Sequence, residues 1–299
     1  MSSRTDAAQT GTEPVDVCIV GVACMDLLVQ VPALPGAGET VFGELQARPG
    51  GKGFNQALAA AAAGARTALV AQAGDDDWGH QLRQALHAHH VDTSGLVQLP
   101  GATAAVVVQV PPDGDSAVTV TRTPTTLHRP ATIVAAAALL ARATVTVIQL
   151  ELDAEVIAAT IAAAGGRTIG TLAPPTALPE QLLAGLDILM VNAVEAATLL
   201  GDATGEVHRD PTAAALALAR KGPAAVITLG AAGAVYATPD GHTGQVASPP
   251  TRVVDTTGAG DAALGHLAAA LARDLPLADA VTAGVAAGSR AVSRLGATD

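Results

Sequence analysis

Residues 255–265, DTTGAGDAALG, place glycines and one carboxylate together at the start of a predicted helix. The first N–H groups of a helix lack intrahelical partners and the helix dipole is positive there, so Gly258, Ala259 and Gly260 could bind an anion. Asp261 would lie beside that anion. Because a carboxylate repels phosphate, Asp261 suits a general base that deprotonates an attacking hydroxyl. Alternatively, Asp261 only offsets the helix dipole and the glycines only form the turn; the stretch alone leaves both interpretations open.

A second stretch, RPGGKGFNQALAAAAAGA at residues 48–65, also sets glycines before a predicted helix. It is not a P-loop, because the spacing G-x-x-x-x-G-K-[ST] is absent. Gly51 and Gly53 permit close approach of a ligand to the backbone, and Lys52 and Asn55 supply hydrogen-bond donors suited to a polyhydroxylated ligand. Without a partner motif, a plain turn before a helix is the better explanation of the stretch.

Charge and composition exclude several kinds of partner. The chain has 299 residues, with 16 Lys and Arg against 27 Asp and Glu, a formal net charge of −11. No basic run is present, which argues against nucleic-acid binding. No apolar span reaches membrane length without Gly, Pro or charge, and the polar residues 1–14 predict a flexible tail. We therefore expect a cytoplasmic protein with neither a nucleic-acid nor a membrane partner.

Apolar runs alternate with helical patterns along the rest of the chain. Residues 15–23, VDVCIVGVA, form a nearly continuous apolar run, which is typical of a strand buried on both faces. Further strands are predicted in TALVAQAG, TVTVIQL, DILMVN and AAVITLG, with a short one ending at Val253 and Val254. Helices are predicted at 55–64, 76–90, 130–142, 154–164, 212–221, 259–273 and 277–294. This alternation predicts an α/β fold with a mostly parallel sheet covered by helices on both faces.

Two segments, residues 26–49 and 103–122, break the alternation. In the second, two period-two runs flank PPDGD, which indicates a β-hairpin. Neither segment is apolar on both faces, so we expect a small projecting β-sheet, a lid, rather than edge strands of the main sheet. Its apolar faces need cover, which predicts a homodimer formed through the lid. Residues 15–299 are predicted to form one domain that includes this lid.

Together, the two glycine-containing stretches carry a family resemblance. GGKGFNQALAAAAAGARTALVAQAGDDDWG and DTTGAGDAALGHLAAAL resemble the two signature regions of the PfkB-type carbohydrate kinases, and the GGKGxNQA form looks most like the ribokinase branch. The resemblance runs from about Val15 to the end of the chain and includes GAGETV. It implies a ribokinase-like, Rossmann-like domain with a small β lid. It also implies an ATP- and Mg²⁺-dependent kinase that transfers the γ-phosphate to a primary hydroxyl of a sugar such as a ribose-like pentose.

The resemblance also implies roles by motif position. The implied sugar-binding residues are Asp26, Gly51, Lys52, Gly53, Asn55, Glu151 and Asp261. Gly258, Ala259 and Gly260 would form the anion hole, with Asp261 as the base. The implied ATP-binding residues are Asn192, Thr228, Gly230, Gly233 and Gly260. Asn192 and Glu195 would organise Mg²⁺ and the phosphates indirectly, although Asn and Glu at this spacing also fit a helix cap. Asp255 and Thr257 fall where ribokinases bind a monovalent cation such as K⁺.

Departures from the ribokinase pattern bear on the substrate. Cys24 stands where the pattern carries Asn, and Phe54 replaces a small residue predicted to lie next to the sugar. Both changes favour a different or bulkier, less polar sugar, since a thiol is a poor substitute for an amide. One alternative is a nucleoside kinase in which Phe54 borders the base. Another is a non-catalytic sugar-binding relative, against which the retained Asp261 argues.

Overall fold

The computed structural model describes residues 13–112, 116–123, 125 and 129–293. Its strands are β1 (Val15–Val20), β2 (Cys24–Gln30), β3 (Glu44–Gly50), β4 (Thr67–Gly74), β5 (Leu96–Leu99), β6 (Ala105–Val110), β7 (Ala117–Val120), β8 (Ala143–Gln149), β9 (Arg167–Thr171), β10 (Ile188–Asn192), β11 (Ala224–Thr228), β12 (Ala234–Ala237) and β13 (Thr243–Val246). Its α-helices are α1 (Lys52–Ala62), α2 (Asp77–Ala88), α3 (Pro130–Ala135), α4 (Ala137–Ala141), α5 (Ala154–Ala163), α6 (Glu180–Ala184), α7 (Ala193–Leu200), α8 (Glu206–Arg209), α9 (Pro211–Ala219), α10 (Ala259–Ala272) and α11 (Leu277–Ala291).

The main sheet has the order β13-β12-β11-β10-β9-β8-β1-β4-β5. Strands β11 through β5 in this order pair in parallel, and only β12 and β13 are antiparallel. All residues of β4 are buried, as its apolar run predicts. The α/β prediction is therefore confirmed. Because the central strands are parallel, their carboxyl ends and the helix starts that follow meet along one edge.

Helices cover the sheet on both sides, each over its own apolar cluster. One cluster includes buried side chains of α1, α2, α10 and α11, and the other includes those of α3 to α9. Ala, Val and Leu provide most of both clusters, as expected for a chain that is only 1% aromatic. The helices that carry both glycine-containing motifs, α1 and α10, therefore lie on the same face of the sheet.

A second sheet has the order β3-β2-β6-β7. The pairs β2–β3 and β6–β7 are antiparallel, which confirms the predicted hairpin and the smaller sheet. The tip of the hairpin, residues 113–115, lies outside the described residues. Its two halves join through a parallel pairing of β2 with β6, from Met25 beside Ala105 to Gln30 beside Val110, which the sequence did not indicate. The limits of the lid segments and of the single domain stay predictions.

Two predicted elements need correction. The helix predicted at 130–142 is two short helices, α3 and α4, separated at Ala136. The strand predicted to end at Val253 and Val254 is absent, and both side chains are more than half exposed. Instead of joining a sheet, this segment runs to the end of α11, where the Val254 N–H donates to the Val292 carbonyl at 2.7 Å.

Both ends of the chain extend beyond the described residues. The predicted tail falls mostly on residues 1–12, which lie outside the described residues. Residues 294–299 also lie outside them, and the last predicted helix ends at residue 294. Within the described ranges, no helix has both the length and the apolar character needed to span a bilayer. The cellular compartment stays a prediction.

Candidate active site

The predicted sugar-binding glycines, Gly51 and Gly53, pack against residues 21–24, the segment that leads to Asp26 on β2. Gly51 is the N-cap of α1 with a left-handed φ of 89°, and a Cβ there would lie 2.8 Å from the Val22 carbonyl oxygen. At Gly50 a Cβ would lie 2.0 Å from Asp26 Oδ2. Gly53 donates its N–H to the Val22 carbonyl at 3.0 Å. The packing of the start of α1 against residues 21–26 therefore requires these glycines.

Asp26 is only partly exposed, and burial raises its pKa. Hydrogen bonds from the Cys24 thiol and the Gly51 N–H, together with the charge of Arg48, oppose that rise. Cys24 Sγ lies 3.7 Å from Asp26 Oδ1. The thiol that stands in place of the family's Asn therefore contacts Asp26, a carboxylate predicted to bind the sugar. A carboxylate in this setting can accept hydrogen bonds from sugar hydroxyls.

An ion pair joins the start of α1 to the loop after β8. Lys52 Nζ lies 2.9 Å from Glu151 Oε2 and also donates to the Ala173 carbonyl. The two side chains are 39% and 18% exposed, so the pair keeps access to a ligand. The charge of Lys52 opposes the rise that burial causes in the pKa values of Asp261 and Glu195, so Lys52 acts on both carboxylates.

Asp261 lies in the first turn of α10, as predicted. Gln56 Nε2 on α1 donates to Asp261 Oδ1 at 2.8 Å. Burial raises the pKa of Asp261 to about 6, although the hydrogen bonds of Gln56 and Asn55 and the charge of Lys52 oppose the rise. A carboxylate with a pKa of about 6 is ionised at neutral pH and still basic enough to accept a proton in a transition state.

The helix start beside Asp261 offers amide donors. Gly258, the N-cap of α10, has a left-handed φ of 75°. The first α-helical bond runs from the Ala262 N–H to the Gly258 carbonyl at 2.9 Å. Within the described part of the chain, the N–H groups of Gly260 and Asp261 have no partner, whereas that of Ala259 donates to Thr256 at 3.3 Å. The two unpartnered amides fit a phosphoryl oxygen, and Ala259 contributes the turn rather than a donor.

The predicted ATP-binding residues lie at the ends of β10 and β11. Thr228 lies directly beside Asn192 in the sheet. Gly230 has a φ of 58°, and a Cβ there would meet nothing within 4 Å. Gly233 has a φ of 93°, and a Cβ there would lie 1.9 Å from the Val246 carbonyl oxygen, so the hairpin itself requires this glycine. The open space at Gly230 fits a bound nucleotide.

Asn192 and Glu195 form the helix cap that the sequence left as an alternative. The Glu195 carboxylate accepts from the Asn192 backbone N–H and Nδ2, both at 2.8 Å, and Asn192 Oδ1 accepts from the Glu195 N–H at 2.9 Å. Burial raises the pKa of Glu195. The described residues contain no cluster of three His, Cys, Asp or Glu side chains that could hold a metal. A single carboxylate, Glu195, fits Mg²⁺ whose ligands would be mainly nucleotide phosphates and water.

The two predicted monovalent-cation ligands lie close together before α10. Asp255 Oδ1 accepts the Thr257 N–H at 2.9 Å, and the Asp255 N–H donates to the Val292 carbonyl. The segment is largely exposed. Its role in cation binding stays a prediction.

Phe54 and Gln56 correct the sequence-based view of α1. Phe54 is 1% exposed and belongs to the apolar core, so the expectation that it lies next to a sugar or base is wrong. Gln56 received no role from the sequence, yet it contacts Asp261. Because α1 begins at Lys52, positions 52, 55 and 56 share one face and Phe54 points elsewhere; this spacing is the signal that could have found Gln56.

Comparisons with known proteins agree with this arrangement. The family model described as "pfkB family carbohydrate kinase" matches residues 15–299. The chain is 33% identical to the ribokinase of Mus musculus over 267 residues, covering 87% of this chain and 83% of that one. The Thermotoga maritima ribokinase structure has a TM-score of 0.86 at 25% identity, with 95% of this chain and 94% of that chain covered. For the Arabidopsis thaliana ribokinase complexed with ribose and ATP, the TM-score is 0.82 at 25% identity, with 95% of both chains covered.

The chain therefore belongs to the pfkB family of carbohydrate kinases. Within that class it is ribokinase-like in sequence and in fold. Its activity class is ATP-dependent phosphoryl transfer to a sugar.

Proposed function

We propose that this kinase phosphorylates the primary hydroxyl of a ribose-like pentose, with ATP as the donor and Mg²⁺ as cofactor. The observation that carries the proposal is the carboxylate of Asp261, held by Gln56 beside the unpartnered N–H groups at the start of α10. A base and a set of amide donors at one helix start suit the two ends of a phosphoryl transfer. Solved and curated relatives named ribokinase support the choice of a pentose.

On the sugar side, Asp26, Asn55 and the Lys52–Glu151 pair bind hydroxyl groups, with the backbone of Gly51 and Gly53 permitting close approach. Asp261 takes the proton of the primary hydroxyl as its oxygen forms a bond to the γ-phosphorus. The bond between the γ-phosphorus and its bridging oxygen breaks, and ADP leaves. The products are the sugar phosphate, ADP and a proton carried away from Asp261.

On the phosphate side, the N–H groups of Gly260 and Asp261 stabilise the charge that develops on the migrating group. The nucleotide lies along Thr228, Gly230 and Gly233. Mg²⁺, when bound, neutralises phosphate charge. Asn192 and Glu195 would help to hold Mg²⁺ indirectly, from the helix cap that they form after β10.

The decisive experiment replaces the proposed base. Asp261→Asn keeps the shape of the side chain, and we expect kcat to fall about 1,000- to 10,000-fold because proton abstraction and alignment are lost together. Rates of ADP formation would be measured over a panel of pentoses, hexoses and nucleosides, with sugar binding followed by calorimetry. A variant that keeps a tenth of wild-type kcat would contradict the proposal. Binding without turnover in the wild-type protein would favour the non-catalytic alternative.

The nucleoside alternative has lost the feature that motivated it, because Phe54 lies in the core. The same panel tests it. A nucleoside phosphorylated with a higher kcat/KM than every free pentose would overturn the choice of sugar.

We also propose that Asp255 and Thr257 help to bind an activating K⁺ beside the anion hole. The loop joins directly to Gly258, so a bound cation would steady the helix start. Rates would be compared in potassium and tetramethylammonium salts, with Asp255→Ala expected to abolish the difference. Equal rates for the wild-type protein in both salts would contradict this role.

The smaller sheet supports a homodimer formed through the lid. Val118 and Val120 on β7 are 59% and 60% exposed. By register they share one face with Val106, Val108 and Leu28, which gives a continuous apolar surface. Light scattering should give a dimer mass for the wild-type chain and a monomer mass for the double variant Val118→Lys, Val120→Lys. A wild-type monomer at micromolar concentration would contradict the dimer.

A further inference from the structure

The side chain of Gln56 connects the sugar-binding helix α1 to the helix of the base, α10. Gln56 is 1% exposed, and its Nε2 donates to Asp261 Oδ1 at 2.8 Å. Its Oε1 is also buried and has no hydrogen-bond partner within the described part of the chain. Burying an amide whose oxygen has no partner is costly, so placing Gln56 against Asp261 calls for a functional explanation.

Close packing of the two helices makes this bond possible. At Gly265 of α10 a Cβ would lie 2.6 Å from the Ala59 Cβ and 2.7 Å from the Ala60 backbone nitrogen. Gly265 follows Asp261 by four residues, and Ala60 follows Gln56 by four. The contact between Gly265 and Ala60 therefore lies one helical turn beyond the contact between Gln56 and Asp261, and it holds the two side chains in register.

The same helix face also holds the sugar ligands. Lys52, Asn55 and Gln56 lie at positions i, i+3 and i+4 of α1, and Lys52 is itself fixed by Glu151. A single rigid element thus carries groups for the acceptor sugar and a group for the base. Such an arrangement controls how the acceptor hydroxyl and the base are aligned. A misplacement of one relative to the other by about 1 Å can lower the rate about 100-fold.

We propose that Gln56 is a positioning residue: its amide fixes the Asp261 carboxylate in the orientation that meets the acceptor hydroxyl held by the same helix. The proposal rests on the proposed function, since it assumes that Asp261 is the base. Gln56 acts through Asp261 and need not touch the sugar.

The groups around Asp261 determine how the Gln56 amide affects the pKa of this carboxylate. Lys52 and the hydrogen bonds of Gln56 and Asn55 lower the pKa of Asp261, while burial and the charge of Glu151 raise it. Loss of the Gln56 hydrogen bond removes a group that favours the ionised form. The pKa of Asp261 should then rise, and the acidic limb of the kcat–pH profile should move to higher pH.

The test replaces Gln56 by Met, which has similar length and no donor. We expect kcat to fall about 10- to 100-fold, since a hydrogen bond to a charged group is lost, while the sugar KM changes less than about threefold. The acidic limb should move up in pH, and a carboxyl-carbon NMR titration of Asp261 should move with it. Gln56→Asn, whose amide is one methylene too short, serves as a second variant with the same expected signs if the Met variant does not fold.

Gln72→Met is the matched control. Gln72 on β4 is also 1% exposed, and its Nε2 donates to Thr132 Oγ1 on α3 at 2.5 Å. It shares a face of β4 with Ala68 and Val70, on the side of the sheet opposite α1 and α10. This variant should lose thermal stability to a similar extent but keep the wild-type kcat and pH profile. Equal kcat losses in the Gln56 and Gln72 variants would show a purely structural effect and overturn the proposal.

The failure of this inference differs from the failure of the proposed function. An inactive Asp261→Asn variant with unchanged kcat and acidic limb in Gln56→Met would overturn the role of Gln56 and leave Asp261 as the base. An active Asp261→Asn variant would overturn both roles. In that case the NMR titration would still show whether the hydrogen bond to Gln56 exists in solution.

Discussion

Gly260 on the proposed phosphate side is small for a different reason from Gly50, Gly51 and Gly53 on the proposed sugar side. At Gly50, Gly51 and Gly53 an added Cβ would lie between 2.0 and 2.9 Å from atoms of the protein itself. At Gly260 and Gly230 it would meet nothing within 4 Å. The first group is required by the fold, whereas Gly260, whose φ is not left-handed, is required by nothing in the described structure.

This difference teaches how to separate a structural glycine from a functional one. Where the protein fills the space, the glycine is explained by packing and says little about a ligand. Where the space is open and the backbone is ordinary, the absent side chain leaves room for something else, and at the start of α10 that room lies beside unpartnered N–H groups. The proposed sugar side is thus largely preformed, whereas the start of α10 has open space in which a ligand could bind.

The largest expected effect that would test this comparison comes from Gly260→Ala. A methyl group would enter the open space proposed for the migrating phosphoryl, so we expect kcat/KM to fall about 100-fold or more. The thermal midpoint should stay the same or rise, because alanine favours a helix over glycine by up to about 1 kcal/mol. Steady-state kinetics and thermal unfolding on the same sample would measure both.

Gly53→Ala is the matched control on the sugar side. Its Cβ would lie 2.9 Å from the backbone of Gly21 and Val22, so we expect a loss of about 1–3 kcal/mol in the free energy of unfolding. Helix propensity alone predicts the opposite sign. If Gly260→Ala destabilised the fold while Gly53→Ala did not, the distinction between the two sides would be wrong.

A smaller effect is expected for Lys52→Met on the sugar side. Lys52 loses its bonds to Glu151 and the Ala173 carbonyl, and a carboxylate that is 18% exposed loses its partner. We expect the sugar KM to rise about 10- to 100-fold, with a smaller change in the KM for ATP. Glu151→Gln, which keeps an acceptor but removes the charge, should raise the sugar KM less. An increase confined to the ATP KM would place Lys52 on the phosphate side instead.

The dependence of kcat on pH gives a smaller, graded effect, which is set by Asp261. Because the folded pKa of Asp261 is raised to about 6, the base is ionised above that pH and protonated below it. We expect kcat to be flat near pH 7–8 and to fall about tenfold per unit well below pH 6. A profile flat down to pH 5 would contradict the assignment of Asp261 as the base. Since the ionised form is disfavoured in the fold, stability should fall as pH rises from about 4 to 6.

Features that depend on a short stretch of sequence could be predicted, and features that depend on packing between distant segments could not. The bounds predicted for β4, residues 67–74, agree with the structure because a mostly apolar run marks a strand buried on both faces. The start of α10 followed from its glycines. The contact between Gln56 and Asp261 spans 205 positions and depends on how α1 and α10 pack, which no local pattern encodes. Phe54 was misplaced because the start of α1 was taken three residues too late, which hid its orientation.

The smallest expected effect concerns Cys24, at the boundary between the packed sugar side and its ligand. Its thiol contacts Asp26 Oδ1 at 3.7 Å and is buried, and burial raises its pKa. Cys24→Ser introduces a stronger donor of similar size, so the hydrogen bond to Asp26 should strengthen and the sugar KM should change by only about 2- to 10-fold. The kcat should stay constant, since Cys24 lies away from the phosphate side. The KM would be compared for ribose and for 2-deoxyribose, because a change in Asp26 alone should affect only those sugars whose hydroxyls reach it. An equal change in kcat would mean that the two sides are coupled through β2. The division between a preformed sugar side and an open phosphate side would then be wrong, and the two would form one continuous site.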